Sequence, residues 1–202
     1  MIASTTACPR RPLRLTILLL SSLLAASGLA QETFQVSNQP RVRVYTTSGE
    51  FVIELDRARA PLTVEAFLGY VTNGFYAGTI FHRVVQGFVA QAGGYTMDMQ
   101  LKETTGTIVN ESGNGLSNLR GTVGFARSNE PHSATSQFYI NLADNLDLNP
   151  RPTRWGYAVF GTVVEGMEVV DEIGHKPTGA GGPFDRSVPV EPIVIERIEL
   201  LR

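Results

Sequence analysis

The chain has 202 residues, of which 17 are basic and 19 acidic, with three histidines and one cysteine. A net charge of −2 leaves no basic surplus to neutralise phosphates, which argues against nucleic acid as a partner. A single cysteine rules out a disulfide framework, and His82, His132 and His175 match no metal-ligand spacing.

The first thirty residues read as an address and not as part of a fold. Arg10, Arg11 and Arg14 form a positive segment, residues 15–26 an apolar one, and Gly28-Leu29-Ala30 offers small residues before a cut ahead of Gln31. The apolar run is short of the ~20 residues a spanning helix needs, so a cleaved secretory signal is expected, not an anchor. Cys8 leaves with it. The expected mature chain, residues 31–202, is one domain with 14 basic residues against 19 acidic, because the leader holds three arginines and no acid. Such a chain is read as periplasmic, monomeric and free of the membrane after cleavage.

Along the remainder, short strands separated by turn residues dominate. Val42 and Val44 alternate with Arg41 and Arg43. Thr47-Ser48-Gly49-Glu50 then turns the chain into Phe51, Ile53 and Leu55, which predicts a hairpin with one wet face. Pro61 opens a helical run with Val64, Phe67, Leu68 and Val71 on one stripe, stopped by Asn73-Gly74. Further strands are predicted at residues 80–85, 88–92, 121–126, 137–142, 159–164 and 193–200, with a second short helix at 167–173. Many strands without alternating helices predict a mainly β antiparallel barrel or sandwich. Residues 95–118 and 145–156 are predicted to be long loops, and loops of that length in a small domain usually carry function.

The chemistry concentrates in Phe81-His82-Arg83-Val84-Val85-Gln86-Gly87-Phe88-Val89-Ala90-Gln91-Ala92-Gly93-Gly94 and in Thr135-Ser136-Gln137-Phe138-Tyr139-Ile140-Asn141. A core strand has little use for Arg83, Gln91 or Gln137, since burying unpaired polar groups is costly. On a strand, Gln137 and Tyr139 share one face and Phe138 and Ile140 the other, so the first pair is placed to meet a ligand. Val89 and Gln91 share a face likewise. Taken singly, each residue has a plainer reading: Arg83 as an ion-pair partner, Phe88 and Tyr139 as core, His82 as a ring bonded to backbone. Gly93-Gly94 reads as a tight turn. Ser133 or Ser136 with His132 and Asp144 could imitate a hydrolase, but no Gly-x-Ser-x-Gly elbow is present. Asn110-Glu111-Ser112 fits a glycosylation sequon.

These blocks, with Gly121-Thr122-Val123-Gly124-Phe125-Ala126-Arg127, Ser133-Ala134-Thr135-Ser136-Gln137-Phe138-Tyr139-Ile140 and Gly156-Tyr157-Ala158-Val159-Phe160-Gly161, resemble the signature blocks of cyclophilin-type peptidyl-prolyl cis-trans isomerases. The resemblance runs from about Arg41 to Leu201 and is strongest to periplasmic members from Gram-negative bacteria. It implies an eight-stranded antiparallel closed β-barrel capped by two α-helices, with a peptide groove on its outer face and no cofactor or metal. It implies Arg83 as the catalytic residue. Phe88, Val89, Tyr139 and Leu148 would line a proline pocket, with Gln91 and Gln137 beside Arg83. Ala126 and Arg127 would meet the residues before proline, and Tyr157 stands where many relatives carry a histidine. The partners implied are proline-containing peptides and unfolded exported proteins. A peptide-binding or chaperone module on the same fold, with little turnover, is the alternative. Asp147 falls where cyclosporin-sensitive relatives carry a tryptophan, which implies weak binding of that inhibitor, and Arg127 in place of asparagine implies a preference for acidic groups before proline.

The reaction suits these residue types. Rotating an X-Pro bond means losing amide resonance across a barrier of ~18–20 kcal/mol, and no covalent step is required. In the twisted amide the proline nitrogen becomes pyramidal and accepts a hydrogen bond, which the always-charged guanidinium of Arg83 can donate.

Overall fold

The computed structural model describes residues 1–2 and 37–201, so the expected leader and its cleavage site lie outside the described residues. The predicted first hairpin is strands β1 (Arg41–Thr46) and β2 (Gly49–Leu55), with Val44 facing Phe51 across the ladder. The helical stripe becomes α1 (Pro61–Thr72), which buries Val64, Phe67, Leu68 and Val71. Then follow β3 (Thr79–Ile80), β4 (Arg83–Val85), β5 (Val89–Ala92), β6 (Thr122–Phe125), β7 (Phe138–Asn141) and β8 (Val159–Glu165). After α2 (Met167–His175) come β9 (Thr178–Gly181), β10 (Phe184–Pro189) and β11 (Val194–Leu201).

Nine of the strands form one antiparallel sheet in the order β3-β11-β1-β2-β8-β6-β7-β5-β4. Its two edge strands, β3 and β4, are separated in the chain only by Phe81-His82. The stretch predicted as one strand, 80–85, therefore breaks there, the first half pairing with β11 and the second with β5. The Phe81 N–H still reaches the Ile193 carbonyl at 2.9 Å. Counted as one bent strand, β3 and β4 make eight strands around the sheet, and the covalent chain joins the edges where no ladder does.

An aromatic cluster fills the interior. The Phe67 ring of α1 lies 5.3 Å from Tyr76, 5.6 Å from Phe138 and 5.2 Å from Phe160, distances at which tilted and edge-on rings attract. Helix α2 buries Val170 and Ile173. The first turn of α1 lacks a capping side chain on Ala60. Glu111, from the long loop, supplies the cap: its carboxylate accepts from the Leu62 and Thr63 N–H groups at 3.2 and 2.8 Å and from the Thr63 hydroxyl at 2.6 Å. Beside it Asn110 is buried, donating its amide to the Pro131 and Gly156 carbonyls, both at 3.0 Å. The sequon asparagine is thus committed inside the fold and unavailable to a glycan.

Sequence reasoning left residues 178–189 unassigned, yet they form the separate two-stranded sheet of β9 and β10. Its glycines and exposed polar residues show no alternation to read. The predicted loops hold, except that Leu146–Leu148 forms one 3₁₀ turn.

Candidate active site

One cross-strand row organises the site. Arg83 on β4 faces Gln91 on β5, Gln91 faces Tyr139 on β7, and Tyr139 faces Gly124 on β6. Residues opposite one another in a ladder share a face, so this row runs across four strands on the outside of the barrel. Gly124 makes room for the tyrosine ring, because a Cβ there would sit 2.6 Å from Tyr139 Cζ. Gly94 does the same for Gln137, whose Cδ would lie 2.7 Å from an added Cβ.

A groove of about 390 Å³ lies over this row, lined by Arg83, Phe88, Val89, Gln91, Ala126, Arg127, Tyr139, Leu148 and Tyr157. Of the ten residues singled out from the sequence, only Gln137 stands outside the lining. It works one layer back: Gln91 Nε2 donates to Gln137 Oε1 at 2.9 Å, and Arg83 Nη1 donates to Gln91 Oε1 at 3.3 Å. The guanidinium lies 5.8 Å from the Phe88 ring centre and makes no ion pair among the described residues. Burial lowers its pKa, Tyr157 opposes that, and the nearby Arg186 adds to it. Such a group stays charged, since arginine titrates far above neutrality. A half-buried cation oriented by a carboxamide relay, with no carboxylate to satisfy it, is left with donors to spare.

Tyr139 is only 3% exposed, so it presents ring and not hydroxyl to the groove. Its hydroxyl donates to Asn118 Oδ1 at 2.7 Å, and burial pushes its pKa up. Asn118, fully buried, also donates to Asn149 Oδ1 at 3.0 Å, and the Tyr157 N–H reaches the Leu148 carbonyl at 2.9 Å. These bonds fix the loop that carries Leu148 and Tyr157. Sequence reasoning missed Asn118. The available signal was a buried hydroxyl in need of a partner, beside asparagines at 141, 145 and 149.

The expectation for Arg127 changes, and His82 and Asp147 take definite places. The guanidinium of Arg127 lies 4.5 Å from the centre of the Tyr157 ring and donates to the carbonyls of Gly156 (3.0 Å), Ser128 (2.9 Å), Asn129 (3.5 Å) and Trp155 (2.7 Å). These bonds engage four of its five N–H groups, so it stitches the loop in place and has one donor left for an acidic ligand. His82 is 1% exposed and packs against the rings of Tyr95 (4.7 Å) and Phe184 (5.6 Å), which also touch each other, and its Nδ1 makes no hydrogen bond. Burial pushes its pKa down to about 4, with Arg83 acting the same way and the Ile80 backbone and Gln137 opposing. Asp147 turns away from the groove, its side chain 92% exposed and paired with Arg151.

No hydrolytic relay assembles. Ser133 Oγ donates to the Glu130 carbonyl and Ser136 Oγ to that of Gly93, while His132 Nδ1 accepts from the Asn110 N–H. Asp144 accepts from the Arg120 N–H. The groove lining itself holds no serine, cysteine, histidine or carboxylate. The lining offers an apolar pocket, a fixed cation and a hydrogen-bonding carboxamide, and no nucleophile.

Residues 41–200 match the family described as cyclophilin type peptidyl-prolyl cis-trans isomerase. A peptidyl-prolyl cis-trans isomerase of Streptomyces antibioticus is 52% identical over 163 residues, covering 79% of this chain and 98% of its own. Peptidyl-prolyl cis-trans isomerase A of Dickeya dadantii is 47% identical, covering 84% and 88%, and isomerase B of Escherichia coli 47%, covering 78% and 97%. A crystal structure of a cyclophilin type isomerase from Cryptosporidium parvum superposes with a TM-score of 0.68 at 24% identity, covering 81% and 98% of the two chains. A second crystal structure of that protein, in the presence of the dipeptide Ala-Pro, gives 0.66 at 25% identity over 80% and 99%. The chain belongs to the cyclophilin-type peptidyl-prolyl cis-trans isomerases, and its activity is the cis-trans isomerisation of X-Pro peptide bonds.

Proposed function

We propose that the chain accelerates X-Pro rotation in exported, incompletely folded proteins, with Arg83 as the electrostatic catalyst. The observation that carries this reading is the Arg83 guanidinium, half-buried beside an apolar groove, braced by Gln91 and Gln137, and in no ion pair among the described residues. The proline ring sits against Phe88, Val89, Leu148 and the Tyr139 ring, and the chain before it runs past Ala126, Arg127 and Tyr157. Arg83 donates to the nitrogen as it becomes pyramidal, a bond that neither planar amide can accept, so the twisted state is bound more tightly than either ground state. The guanidinium is oriented before the substrate arrives, which is what makes such a donor effective.

The leader supports export: a positive segment, an apolar run and small residues before Gln31 are the pattern of a cleaved signal, which would release residues 31–202 into the periplasm. Two measurements test the proposal. Titrating an Ala-Pro-containing peptide should shift backbone NMR signals at Phe88, Val89, Gln91, Leu148 and Tyr157, and shifts confined to another face would overturn the site. Fractionation with mass spectrometry should find a periplasmic protein beginning near Gln31. An intact chain in the cytoplasm would refute export.

A further inference from the structure

The proline groove does not end at Arg83. It crosses the barrel from β6 over β7 and β5 to β4, the edge of the sheet, and past that edge lies the β9–β10 hairpin. Between the hairpin and β4 is a second cleft of about 590 Å³, and Arg83 lines both it and the groove. Val85, two residues on and on the same face as Arg83, forms part of its wall with Pro183 and Phe184. Arg186 and Asp185 complete the rim.

The hairpin is built to hold Arg186 there. Phe184 is anchored on the rings of His82 and Tyr95, at 5.6 and 5.1 Å. The ladder then slips between Phe184 and Val188, and Ser187 adopts a left-handed φ of 68°. A non-glycine residue in that region is uncommon, and with the slip it re-aims the neighbouring side chain. Neither Arg186 nor Asp185 takes part in an ion pair among the described residues, so two unpaired guanidinium groups, Arg83 and Arg186, border one cleft. Their mutual effect is visible in Arg83, which Arg186 makes easier to deprotonate. Asp185 offsets part of this charge and leaves one positive charge in excess. A carboxylate entering the cleft would relieve the repulsion and be held by planar donors suited to it.

We propose that this cleft is a substrate subsite that reads an acidic side chain near the proline, with Arg186 as its specificity-determining residue. The proposal rests on the reading of the groove as the peptide site. It also moves the acidic preference implied for Arg127 to the opposite end of the groove, because Arg127 is committed to backbone carbonyls.

The test uses peptide pairs around one X-Pro bond, in which Glu or Gln is walked through each position on either side of the proline. Values of kcat/KM are measured by exchange NMR for wild type, Arg186→Gln and Arg186→Glu, and the readout is the Glu-to-Gln ratio within each protein. At one position or more the ratio should be about fivefold in wild type at low salt, fall to about one in Arg186→Gln and invert in Arg186→Glu. In wild type it should also decline as salt is raised. Equal ratios in wild type and Arg186→Gln at every position would overturn the subsite. The groove reading has a separate readout: turnover of the Gln peptides by wild type that is lost in Arg83→Ala. If that holds while the ratios coincide, only the Arg186 subsite falls.

Discussion

Replacing His82 by phenylalanine should flatten the acid side of the protein's stability profile. The imidazole is buried against Tyr95 and Phe184, and its pKa is pushed from 6.5 to about 4, burial being the first cause. A base with a depressed folded pKa is neutral in the fold and protonated in the unfolded chain over the intervening range. Stability is therefore complete above pH 6.5, declines as pH falls from 6.5 towards 4, and loses nothing more to this group below that. The gap of about 2.5 pH units, at about 1.4 kcal/mol each, caps the loss near 3 kcal/mol. At pH 4.5 about 2 to 3 kcal/mol should already be gone. Urea unfolding followed by circular dichroism at pH 7.5 and 4.5 measures it. Carboxylates titrate in both proteins, so the quantity of interest is the difference between the two pH slopes. Phenylalanine keeps a ring against Tyr95 and Phe184 and cannot take the proton, so wild type should lose about 2 to 3 kcal/mol more than the variant. Equal slopes would refute the buried neutral imidazole.

Other substitutions probe the surrounding structure. Glu111→Gln removes the charge that caps α1 from 48 residues away and should cost about 1 kcal/mol in thermal or urea unfolding, whereas an unchanged midpoint would deny the cap. Tyr139→Phe keeps the ring but removes the shorter of two hydrogen bonds to Asn118 Oδ1, leaving the one from Asn141 Nδ2 at 3.2 Å, so it should lose about 1 kcal/mol of stability with kcat/KM within a few-fold of wild type. Gly124→Ala instead drives a methyl group into that ring and should lower kcat/KM at least tenfold, and a fully active variant would contradict the tight row. Cyclosporin should bind weakly because the exposed Asp147 offers it no ring, and calorimetry showing a dissociation constant below about 1 μM would contradict that expectation.

Much of the barrel was legible because its strands and α1 bury one face each, and burial writes a period into the residues. Val42 and Val44 alternate with charged neighbours, and Val64, Phe67, Leu68 and Val71 recur at helical spacing. The groove was legible from polar residues in apolar runs, which is how Arg83, Gln91 and Gln137 stood out. What escaped depends on contacts between distant segments. The β9–β10 hairpin buries too little to set a period, and the break at His82 is decided by two different partner strands. The Asn118 network joins residues 31 apart, and neutral amides carry no charge signal. Arg127 was recognised as a groove residue, but the carbonyls that occupy it belong to turns whose geometry its neighbours in sequence do not reveal.

The most direct measurement is kcat/KM for X-Pro isomerisation by wild type and Arg83→Ala, with peptide affinity measured in parallel. An electrostatic role for Arg83 predicts a loss of about 10²- to 10³-fold in turnover, with affinity for the planar peptide changed only a few-fold. Turnover within about threefold of wild type, or a loss matched by an equal loss of affinity, would show that Arg83 only holds the substrate and that another group stabilises the twisted amide.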